Sequence, residues 1–123
     1  MNINAIIIIL LFALNSCVFI PKKAMEVYVS PSGNDTNLGT IESPFATAER
    51  ARDEVRNIKN KKSAPVTVFF REGVYRFSKP LLFTPDDSGE EGKDIVYTAY
   101  QNEKVSFTGC RKLSPKWEKY SDN

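Results

Sequence analysis

The densest group of residues that could do chemistry is acidic. Five carboxylates lie between positions 86 and 94, in a segment that also contains glycine: Asp86, Asp87, Glu90, Glu91 and Asp94. Hydrolysis of a glycosidic bond uses two carboxylates about 5–10 Å apart whose surroundings separate their pKa values. Adjacent carboxylates in an exposed loop lack the burial that would separate their pKa values. We therefore predict a solvated loop, in which Asp87 and Ser88 bond to the backbone, and assign no catalytic residue.

Other catalytic and metal-binding arrangements are missing from the sequence. The chain has no histidine, so neither Ser-His-Asp nor Cys-His catalysis is possible within it. It also has no Cys/His cluster with the spacing of metal ligands. The loop at 32–40 offers oxygen atoms on Asp35, Asn37 and Thr40 but lacks the spacing of an EF-hand, so side-chain turns are predicted instead of a calcium site. We predict no metal and no cofactor.

The N-terminus has the pattern of an export signal. Residues 5–14 are ten uninterrupted apolar residues, which suits the core of a signal peptide and is short for a membrane span. Residues 14–17 read Leu-Asn-Ser-Cys, which resembles a bacterial lipobox. We predict a lipoprotein-type signal peptide at 1–16, lipidation of Cys17 and a linker at 17–25. The alternative is an uncleaved signal anchor, in which Val18, Phe19 and Ile20 lengthen the span. No lysine or arginine precedes the apolar segment, which departs from the usual signal-peptide pattern.

These features set expectations for the compartment and for the second cysteine. The protein is expected to be exported, as a lipoprotein of the bacterial outer membrane or cell surface, or else as a periplasmic or secreted protein. If Cys17 carries lipid, Cys110 has no disulfide partner, since the chain has two cysteines. We predict that Cys110 is a small buried apolar side chain.

Aromatic side chains are a further candidate for binding, because they can stack on sugar rings. Tyr75, Tyr97 and Tyr100 lie in predicted strands, where aromatic residues are usually core or cross-strand partners. Trp117 and Tyr120 lie instead in a polar segment. These two are our predicted sugar-stacking residues.

One amphipathic helix is predicted over 47–59. Thr47 is the predicted N-cap, and Glu49 lies in the first turn, where the helix dipole favours a carboxylate. Apolar side chains recur at spacings of three and four and form one stripe, made of Ala48, Ala51, Val55 and Ile58. Pro65 follows the end of the helix.

Short strands account for most of the remaining chain. Alternating, β-branched and aromatic residues predict strands at 26–30, 66–70, 74–77, 81–84, 95–100 and 105–108. In the first strand, Val27 and Val29 are predicted on one face and Tyr28 on the other. The connections after residue 66 are too short for helical crossovers, which excludes βαβ units there. A sandwich or a solenoid remains, although no clean internal repeat is visible.

Length and charge limit the class of protein. The 123 residues suffice for one domain at most, and 41% of them are hydrophobic, which suits a globular or solenoid protein. The net charge of +2, from 17 basic and 15 acidic residues, is too even to indicate nucleic acid or an anionic membrane as a partner.

Several blocks resemble the N-terminal signature of secreted right-handed parallel β-helix proteins. They are VYVSPSGND at 27–35, GT at 39–40, SPFAT at 43–47 and AR at 51–52, then REGVY at 71–75, DSG at 87–89, IVYTAY at 95–100 and VSFTG at 105–109. The resemblance is strongest to large bacterial glycoside hydrolases of this fold, including fucosidase- and xylanase-type enzymes, and looser to pectate lyases. At Cys110, such sequences often carry a second glycine.

The resemblance implies a mainly β fold, the start of a right-handed parallel β-helix with one capping α-helix. Residues 26–123 would form the N-terminal cap and first coils of a solenoid that is incomplete at its C-terminus. The helix would cover one open end of the stack, whose apolar side chains and strand edges are otherwise exposed. In these proteins the catalytic carboxylates lie on later coils, so none is transferred to this chain.

Three functions remain open after this reasoning. The preferred one is an N-terminal fragment of an exported polysaccharide-degrading enzyme, a glycoside hydrolase or polysaccharide lyase, that is not catalytic by itself. The second is a non-catalytic surface module that binds glycan or protein, and the third is a non-functional truncated remnant. The expected partners are a polysaccharide, through the longer form, and a membrane, through the lipid anchor, with no nucleic acid.

Overall fold

The computed structural model describes residues 23–62 and 64–120. The predicted signal peptide at 1–16 and the predicted lipidation of Cys17 lie outside the described residues. In chain order the elements are β1 (Met25–Val29), α1 (Ala48–Lys61), β2 (Val66–Phe70), β3 (Gly73–Arg76), β4 (Ile95–Ala99) and β5 (Val105–Thr108), with 3₁₀ turns at Pro85–Asp87 and Tyr100–Asn102.

The strands form two parallel sheets. One sheet has the order β1-β2-β4, and β3 pairs with β5 in the other. In the first sheet Val68 lies between Val27 and Tyr97, and in the second Tyr75 lies opposite Phe107. Along the chain, β2 of the first sheet is followed by β3 of the second, and β4 of the first sheet is followed by β5 of the second. The chain therefore visits the two sheets alternately. The described chain is therefore mainly β, with parallel strands and one helix, and its strands do not form an antiparallel sandwich.

The start of α1 is held by two side chains. The Thr47 hydroxyl, the predicted N-cap, accepts a hydrogen bond from the Arg50 amide at 3.1 Å. The Asp35 carboxylate in turn accepts bonds from the Ala46 and Thr47 amides, both at 2.9 Å. These bonds satisfy amides that lack a partner within the helix, and they fix the direction in which the helix leaves the loop.

The apolar stripe of α1 packs on the inner face of β1 and β2, as its spacing predicts. All four stripe residues are buried, namely Ala48, Ala51, Val55 and Ile58. They form one core with Val29, Val66 and Val68, each at most 1% exposed, and with Phe45, which is fully buried. Because alanine carries one methyl group, the helix backbone can approach the strands closely.

The loop between β1 and α1 closes over the same core. Gly39 has φ of +75°, and a Cβ atom at this position would lie 2.4 Å from the Phe45 ring. Only glycine combines that backbone conformation with that approach. The Phe45 ring therefore fills the space that the missing side chain leaves.

One strand prediction differs from the structure. Residues 81–84 form no strand; Leu82 is 66% exposed, and its carbonyl accepts a hydrogen bond from Arg52 of α1. Pro80 and Pro85 flank this segment and cannot donate to a ladder, which explains why it remains outside the sheets.

The predicted faces of β1 are confirmed: Val27 and Val29 belong to the core, and Tyr28 lies on the other face. Tyr28 is nevertheless only 7% exposed, because Phe69 and Tyr100 cover its ring at 5.3 and 5.7 Å.

Candidate functional site

An apolar cavity opens beside the last strand of each sheet. Its volume is about 540 Å³, and we call it the open-end cavity. Its principal lining side chains are Phe70, Phe77, Leu81, Phe83, Tyr97 and Phe107. The ring of Phe70 lies edge-on to the rings of Tyr75 at 5.2 Å and Phe107 at 5.0 Å, so the cavity continues the aromatic core.

The same side of the molecule presents unpaired strand edges. Within the described residues, β4 pairs with β2 alone and β5 pairs with β3 alone. The Val66 amide donates to the Asp94 carbonyl, and donors alternate along a parallel ladder, so the amides of Tyr97 and Ala99 point away from β2. Unpaired edges beside an apolar cavity make this side suited to adding strands.

Tyr97 lines the open-end cavity, but its hydroxyl is enclosed by the protein. Its hydroxyl is buried and has no hydrogen-bond partner among the described residues. Burial, followed by the nearby Asp87 carboxylate, raises the pKa of Tyr97 to about 12. The hydroxyl is therefore neutral at physiological pH. Leaving a buried hydroxyl without a hydrogen-bond partner costs free energy.

The acidic segment is not uniformly solvated. Asp86, Glu90, Glu91 and Asp94 are exposed, as predicted, but Asp87 is 9% exposed. The prediction of an exposed loop is wrong for Asp87, because Arg56 of α1 donates two hydrogen bonds to its carboxylate, both at 2.7 Å. The Thr84 amide donates a third at 2.7 Å, which confirms the predicted bond from Asp87 to the backbone. Arg56, the largest cause, and these bonds lower the pKa of Asp87 to about 2.

Two more cations of α1 bind the same segment. Arg52 donates to the Leu82 carbonyl at 2.9 Å, and Lys59 donates to the Ser88 carbonyl at 2.8 Å. Arg52, Arg56 and Lys59 are four and three residues apart, so they lie along one side of the helix. That spacing can be read from the sequence. It indicates a cationic side of α1 that could bind the acidic segment. These contacts leave Asp87 in a structural ion pair and form no catalytic carboxylate pair.

The loop at 32–40 uses its oxygen atoms within the protein. Asp35 bonds to the start of α1, the Asn37 amide group donates to the Pro44 carbonyl at 2.9 Å, and the Thr40 hydroxyl accepts from the Ser43 amide at 3.2 Å. No group of three or more potential metal ligands from His, Cys, Asp and Glu occurs in the part of the chain that the structure describes.

The C-terminal segment carries the predicted sugar-stacking residues. Trp117 is 92% and Tyr120 is 91% exposed, and this segment has neither helix nor strand through residue 120. Cys110 is exposed as well, so the prediction of a buried apolar side chain is wrong. It follows the last residue of β5 by two positions, where the chain has already left the core.

Comparison with known proteins gives relatives for most of this region. No known protein-family profile matches the chain. The chain is 39% identical over 83 residues to the uncharacterized protein YwoF of Bacillus subtilis strain 168, a match that covers 68% of this chain and 15% of that protein. It is 31% identical over 86 residues to pectate lyase PEL9 of Emericella nidulans, covering 70% of this chain and 19% of the lyase.

A solved structure described as a glycoside hydrolase superposes with a TM-score of 0.73 and 32% identity, covering 79% of this chain and 17% of the hydrolase. These matches confirm that the chain resembles pectate-lyase-like carbohydrate-active proteins, as its sequence blocks predict. The chain spans less than a fifth of the length of each of these three proteins.

The described residues contain no helix that is both long enough and apolar enough to cross a membrane. The apolar segment at 5–14 lies outside them.

Proposed function

We propose that residues 26–123 form the N-terminal cap and first coils of a right-handed parallel β-helix in an exported polysaccharide-degrading protein, and that they are not catalytic by themselves. The observation that carries this proposal is the pair of parallel sheets, each ending in a strand with a free edge beside the open-end cavity. A coil stack that continues past β4 and β5 would pair those edges and fill the cavity.

Chain connectivity supports the right hand that we propose for the stack. β1 and β2 are parallel neighbours joined through α1, and such a connection is right-handed in nearly all known proteins. The superposition on a glycoside hydrolase with a TM-score of 0.73 supports the same architecture. On this basis α1 covers the β1 and β2 side of the stack, and further coils would add beside β4 and β5.

The occupant of the open-end cavity in this proposal is the next coil of a longer polypeptide. The chain covers 15% and 19% of its two curated relatives, so proteins of this kind have ample further polypeptide to supply coils. The next coil would also cover the part of Tyr97 that lines the cavity.

The chemistry belongs to those later coils. The acidic segment offers no pair suited to glycoside hydrolysis, since Asp87 is held in an ion pair with Arg56. The substrate of the longer protein is a polysaccharide, cleaved by a hydrolase or a lyase, as the names of the relatives suggest. Trp117 and Tyr120, both fully accessible, are proposed to stack on sugar rings of that substrate.

The proposed location is the bacterial outer membrane or cell surface. Lipid on Cys17 would anchor the protein, since each buried methylene contributes about 0.8 kcal/mol to membrane binding. Growing bacteria that produce the protein in medium with radiolabelled palmitate, and measuring the label on the purified protein, tests this proposal. Label should be incorporated by the wild type and by Cys110→Ser and lost in Cys17→Ser, whereas label that survives in Cys17→Ser would contradict it. Nucleic acid is not among the proposed partners, because the net charge is only +2.

A chimera tests the capping function. Residues 25–108 would replace the segment of the glycoside hydrolase on which they superpose, and deletion of that segment serves as the control. We expect the chimera to be soluble and hydrolytic, the deletion to be insoluble, and the 123-residue chain alone to cleave no polysaccharide. Turnover by the chain alone, or a chimera no better folded than the deletion, would contradict the proposal.

A further inference from the structure

A polar groove lies where the loop after β1 meets the turn after β2, away from the open-end cavity. Its volume is about 490 Å³. We call it the 71–103 groove, after its central ion pair. The polar side chains that matter for its chemistry are Ser30, Ser32, Glu42, Arg71, Glu72 and Glu103.

The central ion pair is fixed in place. Arg71 donates from Nε and Nη2 to the two oxygens of Glu103, each at 2.9 Å, and the Glu72 amide donates to the same carboxylate at 2.7 Å. These bonds lower the pKa of Glu103 and raise that of Arg71. Nη1 of Arg71 has no hydrogen-bond partner among the described residues. It is therefore a positioned donor whose positive charge is already neutralised.

The other charged groups of the groove are acceptors. The exposed carboxylates of Glu42 and Glu72 make no ion pair or hydrogen bond to the rest of the described chain. Ser30 and Ser32 add two hydroxyls, whose oxygens lie 2.9 Å apart. A donor with several acceptors matches the paired hydroxyls of a sugar. Because two carboxylates remain without a cation, the groove repels a ligand that carries its own carboxylate.

Aromatic rings adjoin the groove. The Arg71 guanidinium lies 5.0 Å from the centre of the Tyr100 ring, and Tyr100 contacts the Phe69 ring edge-on at 5.6 Å. Phe69 and Tyr100 are both partly exposed. The Tyr100 ring therefore packs beside the Arg71 guanidinium, while the groove itself is lined mainly by polar groups.

We propose that the 71–103 groove binds a neutral sugar unit of an oligosaccharide and discriminates against uronic acids. Arg71 Nη1 donates to one sugar hydroxyl, and Glu42 and Glu72 accept from others. The inference uses the carbohydrate assignment of the proposed function but does not depend on a longer β-helix or on catalysis.

Titration calorimetry on the full 123-residue chain tests the proposal, with xylotetraose and cellotetraose as neutral probes and tetragalacturonic acid as the acidic probe. We expect a neutral probe to bind with a dissociation constant of about 1 mM or tighter, at least about tenfold tighter than the acidic probe. Glu42→Gln and Glu72→Gln should each weaken that binding at least about tenfold. Glu91→Gln, an exposed acid outside the groove, is the matched control and should leave it unchanged.

The outcomes separate this proposal from the others. No neutral binding up to about 10 mM, tighter binding of the acidic probe, or binding that both glutamine variants retain would each overturn it. So would binding that Trp117→Ala abolishes while Glu42→Gln leaves it intact, since the site would then be the exposed tail. Equal unfolding midpoints of Glu42→Gln, Glu72→Gln and Glu91→Gln show that a loss of binding is not a loss of fold. Failure of the capping chimera would leave these readouts unaffected.

Discussion

Asp87 shows how one side chain fixes the longest irregular segment after α1. Its carboxylate joins Arg56 of the helix to the Thr84 amide of the segment, and the side chain itself is 3% exposed. The pKa of Asp87 falls to about 2 from its usual 3.8, because Arg56 and the surrounding bonds favour the charged form. A carboxylate whose pKa is lower in the folded than in the unfolded state stabilises the fold fully at pH values above the unfolded-state pKa, and this contribution is lost as the pH falls toward the folded-state pKa.

Asp87 therefore makes the free energy of unfolding depend on pH. Its contribution of about 2 kcal/mol is present above about pH 5 and is lost as the pH falls toward 2. In urea unfolding, Asp87→Asn should be less stable than the wild type by about 2 kcal/mol at pH 6 and by clearly less at pH 3. A difference between the two proteins that stays constant over this range would show that the ion pair does not shift the pKa.

Two buried tyrosine hydroxyls differ in whether they have hydrogen-bond partners. The Tyr75 hydroxyl donates to the carbonyls of Val29 at 2.9 Å and Arg71 at 2.8 Å, whereas the buried Tyr97 hydroxyl has no partner among the described residues. Tyr75→Phe should lower the free energy of unfolding by about 1–2 kcal/mol, and Tyr97→Phe should leave it unchanged or raise it by up to about 1 kcal/mol. Thermal unfolding of both variants measures this contrast. Equal losses in the two would mean that Tyr97 is also bonded.

At this scale the sequence predicted side chains whose role is local. The N-cap role of Thr47 follows from residue type and position alone, and the structure confirms it. The burial of Asp87 and the exposure of Cys110 cannot be predicted from residue type and position. Each depends on whether an element distant in sequence covers the residue. For Asp87 that element is the cationic side of α1. For Cys110 no described element covers it.

Among the elements, α1 is the one whose position the sequence specified best. Its stripe predicts which face is buried, and its alanines predict a close approach to β1 and β2. Ala51→Leu, at a position that is fully buried, should therefore lower the free energy of unfolding by about 1–3 kcal/mol. Asn57→Leu places the same side chain on the exposed face and should change it by less than about 0.5 kcal/mol.

Chemical denaturation of these two leucine variants measures the difference. A small effect of Ala51→Leu, similar to that of Asn57→Leu, would mean that the helix is not seated closely on the strands.

The strands were predicted with less accuracy than the helix. Five of the predicted strands are confirmed, with ends that move by one residue at most, because β-branched and aromatic residues mark them locally. The segment 81–84 has the same composition and yet forms no strand. Proline on both sides and the bond from Arg52 to the Leu82 carbonyl hold it outside the sheets.

For the molecule as a whole, strand pairing lies beyond what local sequence determines. Short connections excluded helical crossovers after residue 66 but left a sandwich and a solenoid both possible. Which strand pairs with which depends on contacts far apart in the chain, such as Val68 with Tyr97 and Tyr75 with Phe107. Resemblance to β-helix proteins supplied that information, and the parallel pairing agrees with it. The 71–103 groove was not predicted, since its residues come from three separate segments.

Amide hydrogen exchange of the full chain tests the central claim that β4 and β5 present free edges for further coils. The Val68 and Phe70 amides lie in the central strand β2, whereas those of Tyr97 and Ala99 point away from it. The Gly73 amide donates to the Lys104 carbonyl, so by the same alternation the Phe107 amide points away from β3. We predict that the Tyr97, Ala99 and Phe107 amides exchange at least about tenfold faster than those of Val68 and Phe70. Equal protection of both groups, in a chain that sediments as a monomer, would contradict the account, because the edges would already be covered.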